Sequence, residues 1–189
     1  MISLFYFETI MIRTFGKQDN YKIVVRNNCF YTFRWGWEPM LDEEGKETGY
    51  GYYSEHTFPY KPSISDVKNF VVNAINEDTD YRILTEFSFS VPINGQDEPL
   101  IINCYLSQEN QFNYKAAYDL AVQTQGASLP FRLKFGSNTE PQYYDFTTLE
   151  EFSQFYLAAI NFINTALKEG WKKKDGINWD EYEEELKKI

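Results

Sequence analysis

The sequence predicts an α+β protein made of three successive hairpin–helix units with antiparallel sheet, the helices packed on one face, and a short C-terminal helix. Two observations carry that expectation. Local patterns recur three times in the order strand-like run, turn, strand-like run, helical run, although residue identities do not repeat. Phe87, Phe89 and Val91 alternate with Glu86, Ser88 and Ser90, which is the period of a sheet with one wet face.

In the first unit Lys22 to Trp37 is β-branched and aromatic, Leu41 to Gly49 is a polar turn, and Tyr50 to Phe58 is aromatic again, which reads as a long hairpin. Lys61-Pro62-Ser63 stops the strand, and Ser63 or Ser65 caps a helix from about Ile64 to Asn76. Val67, Phe70, Val71, Ala74 and Ile75 form its apolar face. The second unit runs from Tyr81 to Val91, turns at Asn94-Gly95-Gln96-Asp97 and returns from Pro99 to Leu106. Ser107 then caps a helix that packs through Phe112, Ala116 and Leu120 and stops at Gly126. The third unit has strands Leu129 to Phe135 and Gln142 to Phe146, and Thr147 with Glu150 forms a capping box for the longest helix, ending near Gly170. Leu149, Phe152, Tyr156, Ala159, Ile160, Ile163 and Leu167 make one apolar stripe on that helix. Phe155, Ala158, Phe162 and Ala166 make a second, so a cover besides its own sheet is expected.

Three segments follow: an N-terminal strand-like arm over residues 1–20, an α+β domain over 21–170 and a C-terminal docking segment over 171–189. Ile2 to Ile12 is apolar but carries Glu8, and it lacks a basic leader and a small-residue cleavage site. It reads as neither signal peptide nor membrane span, and as a strand that needs a partner. Trp179, Tyr182, Leu186 and Ile189 recur at helical spacing among acids. A helix of roughly ten residues is marginal alone, so this one must dock, and a groove on a neighbouring molecule is the expected place.

With 43% hydrophobic residues in 189, the chain buries a real core. Its 28 acids against 18 bases give a net charge of -10, which opposes nucleic-acid binding by counterion release. Cys29 and Cys104 are too few and too far apart for a disulfide scaffold or a four-ligand zinc site. The single histidine, His56, lies in a strand-like run without a nucleophile elbow, and no phosphate-binding loop occurs. Asp42-Glu43-Glu44-Gly45-Lys46-Glu47 fails the ligand spacing of a calcium loop and reads as a solvated hairpin tip. No catalytic, cofactor-binding or metal-binding residue is assigned, and no enzyme activity is expected.

Aromatics are the excess. Tyr31, Phe33, Trp35, Trp37, Tyr50, Tyr52, Tyr53, Phe58 and Tyr60 crowd one hairpin, and Tyr143, Tyr144 and Phe146 another. Core packing, a protein interface and a sugar platform are the three readings. The interface candidates are Trp35, Trp37, Tyr50, Tyr52, Tyr53, Phe155, Phe162, Trp171, Trp179, Tyr182 and Leu186.

At Tyr50-Gly51-Tyr52-Tyr53, His56-Thr57-Phe58, Lys61-Pro62, Ile83-Leu84 and above all Leu106-Ser107-Gln108-Glu109-Asn110-Gln111-Phe112-Asn113-Tyr114-Lys115, the sequence resembles a known group. These are small tail-fibre-associated structural proteins of unknown function from phages and prophages of gut anaerobic bacteria. The likeness continues through Leu129-Pro130, Lys134-Phe135-Gly136, Thr148-Leu149-Glu150-Glu151-Phe152 and Gly170-Trp171-Lys172-Lys173-Lys174-Asp175, spanning roughly Tyr50 to Asp175. The resemblance implies a virion structural protein, made in the bacterial cytoplasm, of the tail or tail-attachment region and acting through protein–protein interfaces. Its expected partners are other phage structural proteins and copies of itself, with no nucleic acid, membrane or cofactor. An assembly chaperone for a phage fibre and a carbohydrate-binding receptor-recognition module are the alternatives.

Overall fold

The computed structural model describes residues 13–91, 98–136 and 139–189. The run Ile2 to Ile12, the Asn94 to Asp97 turn and positions 137–138 of the third hairpin turn lie outside the described residues. The protein is α+β with antiparallel sheets, three hairpin–helix units and a short last helix. Its described residues divide into two compact units. One holds the residues up to Asp78 together with Gly170–Ile189, and the other holds Thr79–Glu169.

In the first unit β1 (Arg13–Lys17), β2 (Val24–Asn27), β3 (Phe30–Leu41) and β4 (Glu47–Phe58) form one antiparallel sheet in the order β1-β4-β3-β2. The sequence reads Lys22 to Trp37 as one strand, but the chain reverses at Asn28-Cys29. Asn28 takes φ +53°, a left-handed conformation that asparagine tolerates better than most residues. The acidic tip is tied by its own aspartate, since Asp42 Oδ1 accepts the Glu44 and Lys46 N–H groups, each at 2.9 Å.

Val24, Tyr31, Phe33, Trp35 and Phe58 of the sheet bury against Val67, Val71 and Ile75 of α1 (Ile64–Thr85) and against Tyr182 and Leu186 of α4 (Trp179–Lys188). Ser63 caps α1 reciprocally: its Oγ accepts the Asp66 N–H at 3.2 Å, and its own N–H donates to Asp66 Oδ2 at 2.9 Å. The Ser63 hydroxyl also donates to Asp66 Oδ2 at 2.7 Å, and that bond, with the one from the Ser63 N–H, holds the Asp66 carboxyl below its ordinary pKa. The helix runs nine residues beyond the expected end at Asn76. Residues 76–80 contain neither glycine nor proline, and Ile75, Thr79 and Ile83 stay buried at four-residue spacing. Tyr81 to Thr85 is consequently helical, and the strand after it, β5, is only Ser88–Val91.

The C-terminal segment corrects the expectation of a groove on a neighbour, because α4 packs on the first unit of its own chain. Tyr182 and Leu186 are buried there, the Tyr182 hydroxyl donates to the Arg34 carbonyl at 2.5 Å, and Arg26 Nη1 donates to the Ile189 carbonyl at 2.9 Å. Burial pushes the Tyr182 phenol well above its ordinary pKa. The long helix α3 (Leu149–Asp175) passes through Gly170 instead of ending near it. Its last turn is tied to α1 by Lys173 on Asp78 at 3.1 Å and Lys174 on Asn76 at 2.9 Å.

In the second unit β5 pairs with β6 (Leu100–Asn103) and β7 (Phe131–Gly136) with β8 (Pro141–Phe146), as two separate two-stranded sheets. Phe87 and Val91 are buried, Phe89 is half-buried, and Ser88 and Ser90 are exposed, as the alternation predicts. Phe155 of α3 is fully buried, with ring centroids 4.9 Å from Phe146, 5.4 Å from Tyr114, 5.5 Å from Phe89 and 5.9 Å from Phe87. The second cover of α3 is thus supplied by this chain's own hairpins and by α2 (Gln108–Gln123).

Three further expectations are corrected here. Thr148, one residue later than expected, caps α3 by accepting the Glu151 N–H at 3.2 Å. On α2 the buried side is Tyr114 and Ala121, with Ala117 and Tyr118 half-buried, whereas Phe112, Ala116 and Leu120 face outward. Both rows have helical spacing, and α3 takes the one whose two tyrosines can stack edge-on or flat against its aromatics, as Tyr118 does on Tyr156 at 4.4 Å. Ser107 caps α2 as expected, its Oγ accepting the Asn110 N–H at 3.2 Å, but the left-handed residue that ends the helix is Gln125 with φ +52°, one residue before the expected Gly126, whose N–H donates to the Ala121 carbonyl at 2.8 Å.

Two variants test these cores. Phe155→Ala should cost about 3–5 kcal/mol in urea unfolding, because Phe87, Phe89, Tyr114 and Phe146 around it cannot collapse into the space. Leu186→Asp should lower the melting temperature of the isolated chain by roughly 4–20 °C, from a loss of about 2–5 kcal/mol. An unchanged melting temperature would mean that α4 does not contribute to the first core.

Candidate interaction surface

The pairing of β1 with β4 sets Arg13 opposite Ser54, Phe15 opposite Tyr52 and Lys17 opposite Tyr50, and cross-strand partners share a face. On that face of β4, Phe58 and Ser54 are buried, and His56 stacks on Phe70 of α1 at 3.6 Å. Farther along the same face, the rings lie open. Phe15 is 51% exposed and Tyr52 42%; Phe15 is parallel to Tyr50 with centroids 5.5 Å apart and lies 5.3 Å from Tyr52.

Two cations edge this ladder. Lys17 Nζ sits 5.5 Å over Tyr50 and the Arg13 guanidinium 5.9 Å over Tyr52. Arg13 also pairs with Glu38 and donates to the Gly36 and Tyr52 carbonyls, each at 3.2 Å. The surface is therefore aromatic and edged by two cations.

A bulge in β3 decides which aromatics join it. Trp35 pairs with Ser54 but Glu38 pairs with Tyr52, so one extra residue is accommodated at Gly36, whose φ of +66° suits glycine alone at low cost. Trp35 consequently enters the core beside Phe70, while Trp37 goes to the opposite face and lies 5.0 Å from Tyr21 and 6.1 Å from Tyr53. Gly51 makes room for the indole of Trp37, since a Cβ there would stand 2.7 Å from its ring and 2.5 Å from the Glu38 carbonyl. Arg34 covers Tyr53 at 5.1 Å, and burial pushes the Tyr21 phenol up to about 12. The two tryptophans, both interface candidates from the sequence, thus stand on opposite faces.

Of the eleven candidates, Trp35, Tyr53, Phe155, Tyr182 and Leu186 are buried within the chain and drop out as surface anchors. The Trp35 Nε1–H is buried with no acceptor among the described residues, a cost the fold carries for this packing. Trp37, Tyr50, Phe162 and Trp179 are half-buried. Phe162 rests on Phe87 at 5.6 Å, and Trp179 lies under the Lys68 ammonium at 5.7 Å. Tyr52 and Trp171 are exposed, and the structure brings only Tyr50 and Tyr52 together in one open patch. Sequence reasoning missed Phe15 as their partner. Its signal was the alternation of Arg13, Phe15 and Lys17, which was grouped with the arm.

Among the described residues no group of three or more His, Cys, Asp or Glu side chains is placed to hold a metal ion, and no helix is long and apolar enough to cross a membrane. A cleft of about 260 Å³ in the second unit is lined by Phe89, Val91, Thr148, Glu150, Glu151 and Gln154, among others. Glu151 accepts the Tyr144 hydroxyl, and burial, with that bond added, pushes the Tyr144 phenol up to about 12. Cys104 is buried with its thiol against Tyr114, and its pKa rises to about 12, which opposes thiolate chemistry at neutral pH. Compared with known proteins, the chain matches no family model, no curated protein and no solved structure.

His56 supplies a pH test. Burial lowers its pKa from the ordinary 6.5, so the unfolded chain takes up the proton first as pH falls. Its contribution is complete above pH 6.5 and declines below that until the folded form also protonates. Urea unfolding at pH 7.5 and 5.5 should show the native chain losing more stability than His56→Phe, which keeps the stack on Phe70. Equal losses would remove the histidine from the balance.

Proposed function

We propose that this chain is a non-enzymatic structural component of a bacteriophage particle, in the tail or tail-attachment region, acting through protein–protein contacts. One observation carries the reading: the open ladder Phe15, Tyr50 and Tyr52, edged by Arg13 and Lys17. Exposed tyrosine and phenylalanine beside arginine is the composition of an interface anchor. The resemblance over Tyr50 to Asp175, which includes the Tyr50-Gly51-Tyr52-Tyr53 motif of this patch, supports the setting in a virion. The partners are other phage structural proteins, with copies of this chain among them. Parallel rings also suit a sugar, so a receptor-binding module is the second reading.

Mass spectrometry of purified particles should find the chain in them. The double variant Phe15→Ser with Tyr52→Ser should lower its incorporation by about tenfold or more, the loss of roughly 1.4 kcal/mol at an anchor, while the fold persists because both rings are surface groups. A chain abundant in infected cells but absent from particles would overturn a virion role and fit an assembly chaperone. Unchanged incorporation of the variant with loss of glycan-array binding would transfer the patch to the sugar reading.

A further inference from the structure

In the first unit the strand order β1-β4-β3-β2 leaves β1 at an end of the sheet. Its backbone pairs with β4 on one side, from Arg13 opposite Ser54 to Lys17 opposite Tyr50, and on the other side no strand of the described residues takes up its N–H and C=O groups. An open sheet edge is a template for one more strand, because every backbone donor and acceptor along it is still to be matched. A docked helix would leave that row unmatched, so the backbone itself asks for an extended partner.

The side chains of β1 say what chemistry that partner carries. Arg13, Phe15 and Lys17 alternate along the strand and share the face of Tyr50 and Tyr52, while Thr14 and Gly16 point to the other. Gly16 offers nothing there, since a Cβ on it would stand 3.0 Å from the Tyr53 ring. A strand added at this edge sets alternate side chains directly opposite Arg13, Phe15 and Lys17, with Cβ atoms about 4.5–5.5 Å apart, so recognition is one-sided. Opposite Phe15, which is 51% exposed, an apolar residue covers the ring.

The two cations differ in what they lack. Arg13 already holds Glu38 and two backbone carbonyls, so it asks little of a newcomer. Lys17 has its ammonium 5.5 Å over the Tyr50 ring and no carboxylate partner among the described residues. A carboxylate opposite Lys17 completes it, whereas a cation there meets like charge. Charges on an edge strand ordinarily deter pairing; here they turn away basic strands and admit an acidic one. The chain's net charge of -10 opposes such a segment at long range, but screening over about 8 Å at physiological salt leaves the direct contact in force.

We infer that the β1 edge receives an extended segment of another protein in which an aspartate or glutamate stands two residues from an apolar residue, the acid opposite Lys17 and the apolar residue opposite Phe15. This rests on the reading of the ladder as a protein-contact surface and adds the partner's conformation and charge.

The probe is the capped peptide Thr-Glu-Thr-Ile-Thr-Glu-Thr, whose symmetric pattern serves either strand direction. Titrated to about 5 mM into the full chain, it should shift the amide resonances of residues 13–17 saturably, with a dissociation constant below about 1 mM. The isomer Thr-Thr-Glu-Ile-Glu-Thr-Thr, equal in charge but with its acids on the other face, should bind about tenfold more weakly or worse. Lys17→Glu should lose the first peptide by a similar factor, keep its melting temperature, and gain Thr-Lys-Thr-Ile-Thr-Lys-Thr. Backbone N-methylation at one alternate set of positions should abolish binding and at the other set leave it, because only one set faces β1. No saturable shift, equal affinity of the two isomers, or tolerance of both methylated sets would each overturn the inference. Binding seen only after residues 1–12 are removed would give the edge to this chain's own arm, and self-association abolished by Lys17→Glu would give it to a second copy; either overturns it. Loss of particle incorporation in the Phe15→Ser, Tyr52→Ser variant without peptide binding would sink the added strand alone, whereas peptide binding by a chain absent from particles would sink the virion reading alone.

Discussion

A two-stranded antiparallel hairpin has a face to bury and no third strand to steady it, and alone in water it is marginal. The second unit is assembled from two such hairpins that do not pair with each other, so its stability depends on a helix that both can use. Phe152 and Phe155 of α3 meet that requirement. Phe155 touches rings from β5, β8 and α2 and from Phe87, just ahead of β5, while Phe152 stacks on Phe131 at 4.7 Å and Phe146 at 5.4 Å. Edge-to-face and offset contacts of this kind add to area burial, and because they are directional they fix the placement of both hairpins at once. The breadth of the apolar surface on α3 follows from serving two hairpins and α2 together.

The first unit meets its burial requirement differently, with four strands in one sheet and two helices on one face of it. Its sheet runs on past the helices, and the bulge at Gly36 comes where the covered part ends. On the covered side of that point Phe33 and Trp35 are core. Beyond it the chain is re-aimed, Trp37 closes with Tyr21 and Tyr53 over the far face, and among the described residues Phe15, Tyr50 and Tyr52 on the near face meet one another, Arg13 and Lys17. A single inserted residue thus separates aromatics that fold the protein from aromatics that remain for contacts.

Much of this was legible in the sequence where the signal is local. Ser63 and Ser107 cap the helices they precede, and the alternation from Phe87 to Val91 gives the buried face of β5, because caps and period-two patterns are written in neighbouring residues. Readings that need a partner from elsewhere in the chain were less secure. The row Phe112, Ala116 and Leu120 and the row Tyr114, Ala117, Tyr118 and Ala121 have equal periodicity, and only the aromatics of α3 decide between them. Asn28-Cys29 hid a turn inside an aromatic run, and Gly36 hid a bulge between two tryptophans, since one residue with positive φ leaves the surrounding hydrophobicity unchanged. Of the open patch, Tyr50 and Tyr52 were legible as aromatics and Phe15 was not, because its place beside them is set by strand pairing across more than thirty residues.

The fate of the C-terminal helix shows why amphipathicity alone does not name a partner. A ten-residue helix with Tyr182 and Leu186 on one side needs a surface, and nothing in its own residues says whose. The surface it finds is defined by a backbone group: the Arg34 carbonyl accepts the Tyr182 hydroxyl, a buried phenol that would otherwise lack an acceptor. The same reasoning runs in reverse for α2. There the open row carries no buried polar group to satisfy, and no described residue of its own unit covers it, so its exposed phenylalanine is not a requirement of the fold. Docked apolar faces and open ones can look alike in composition; they differ in whether the chain itself completes their hydrogen bonds and contacts, and α4 is completed where Phe112, Ala116 and Leu120 are not.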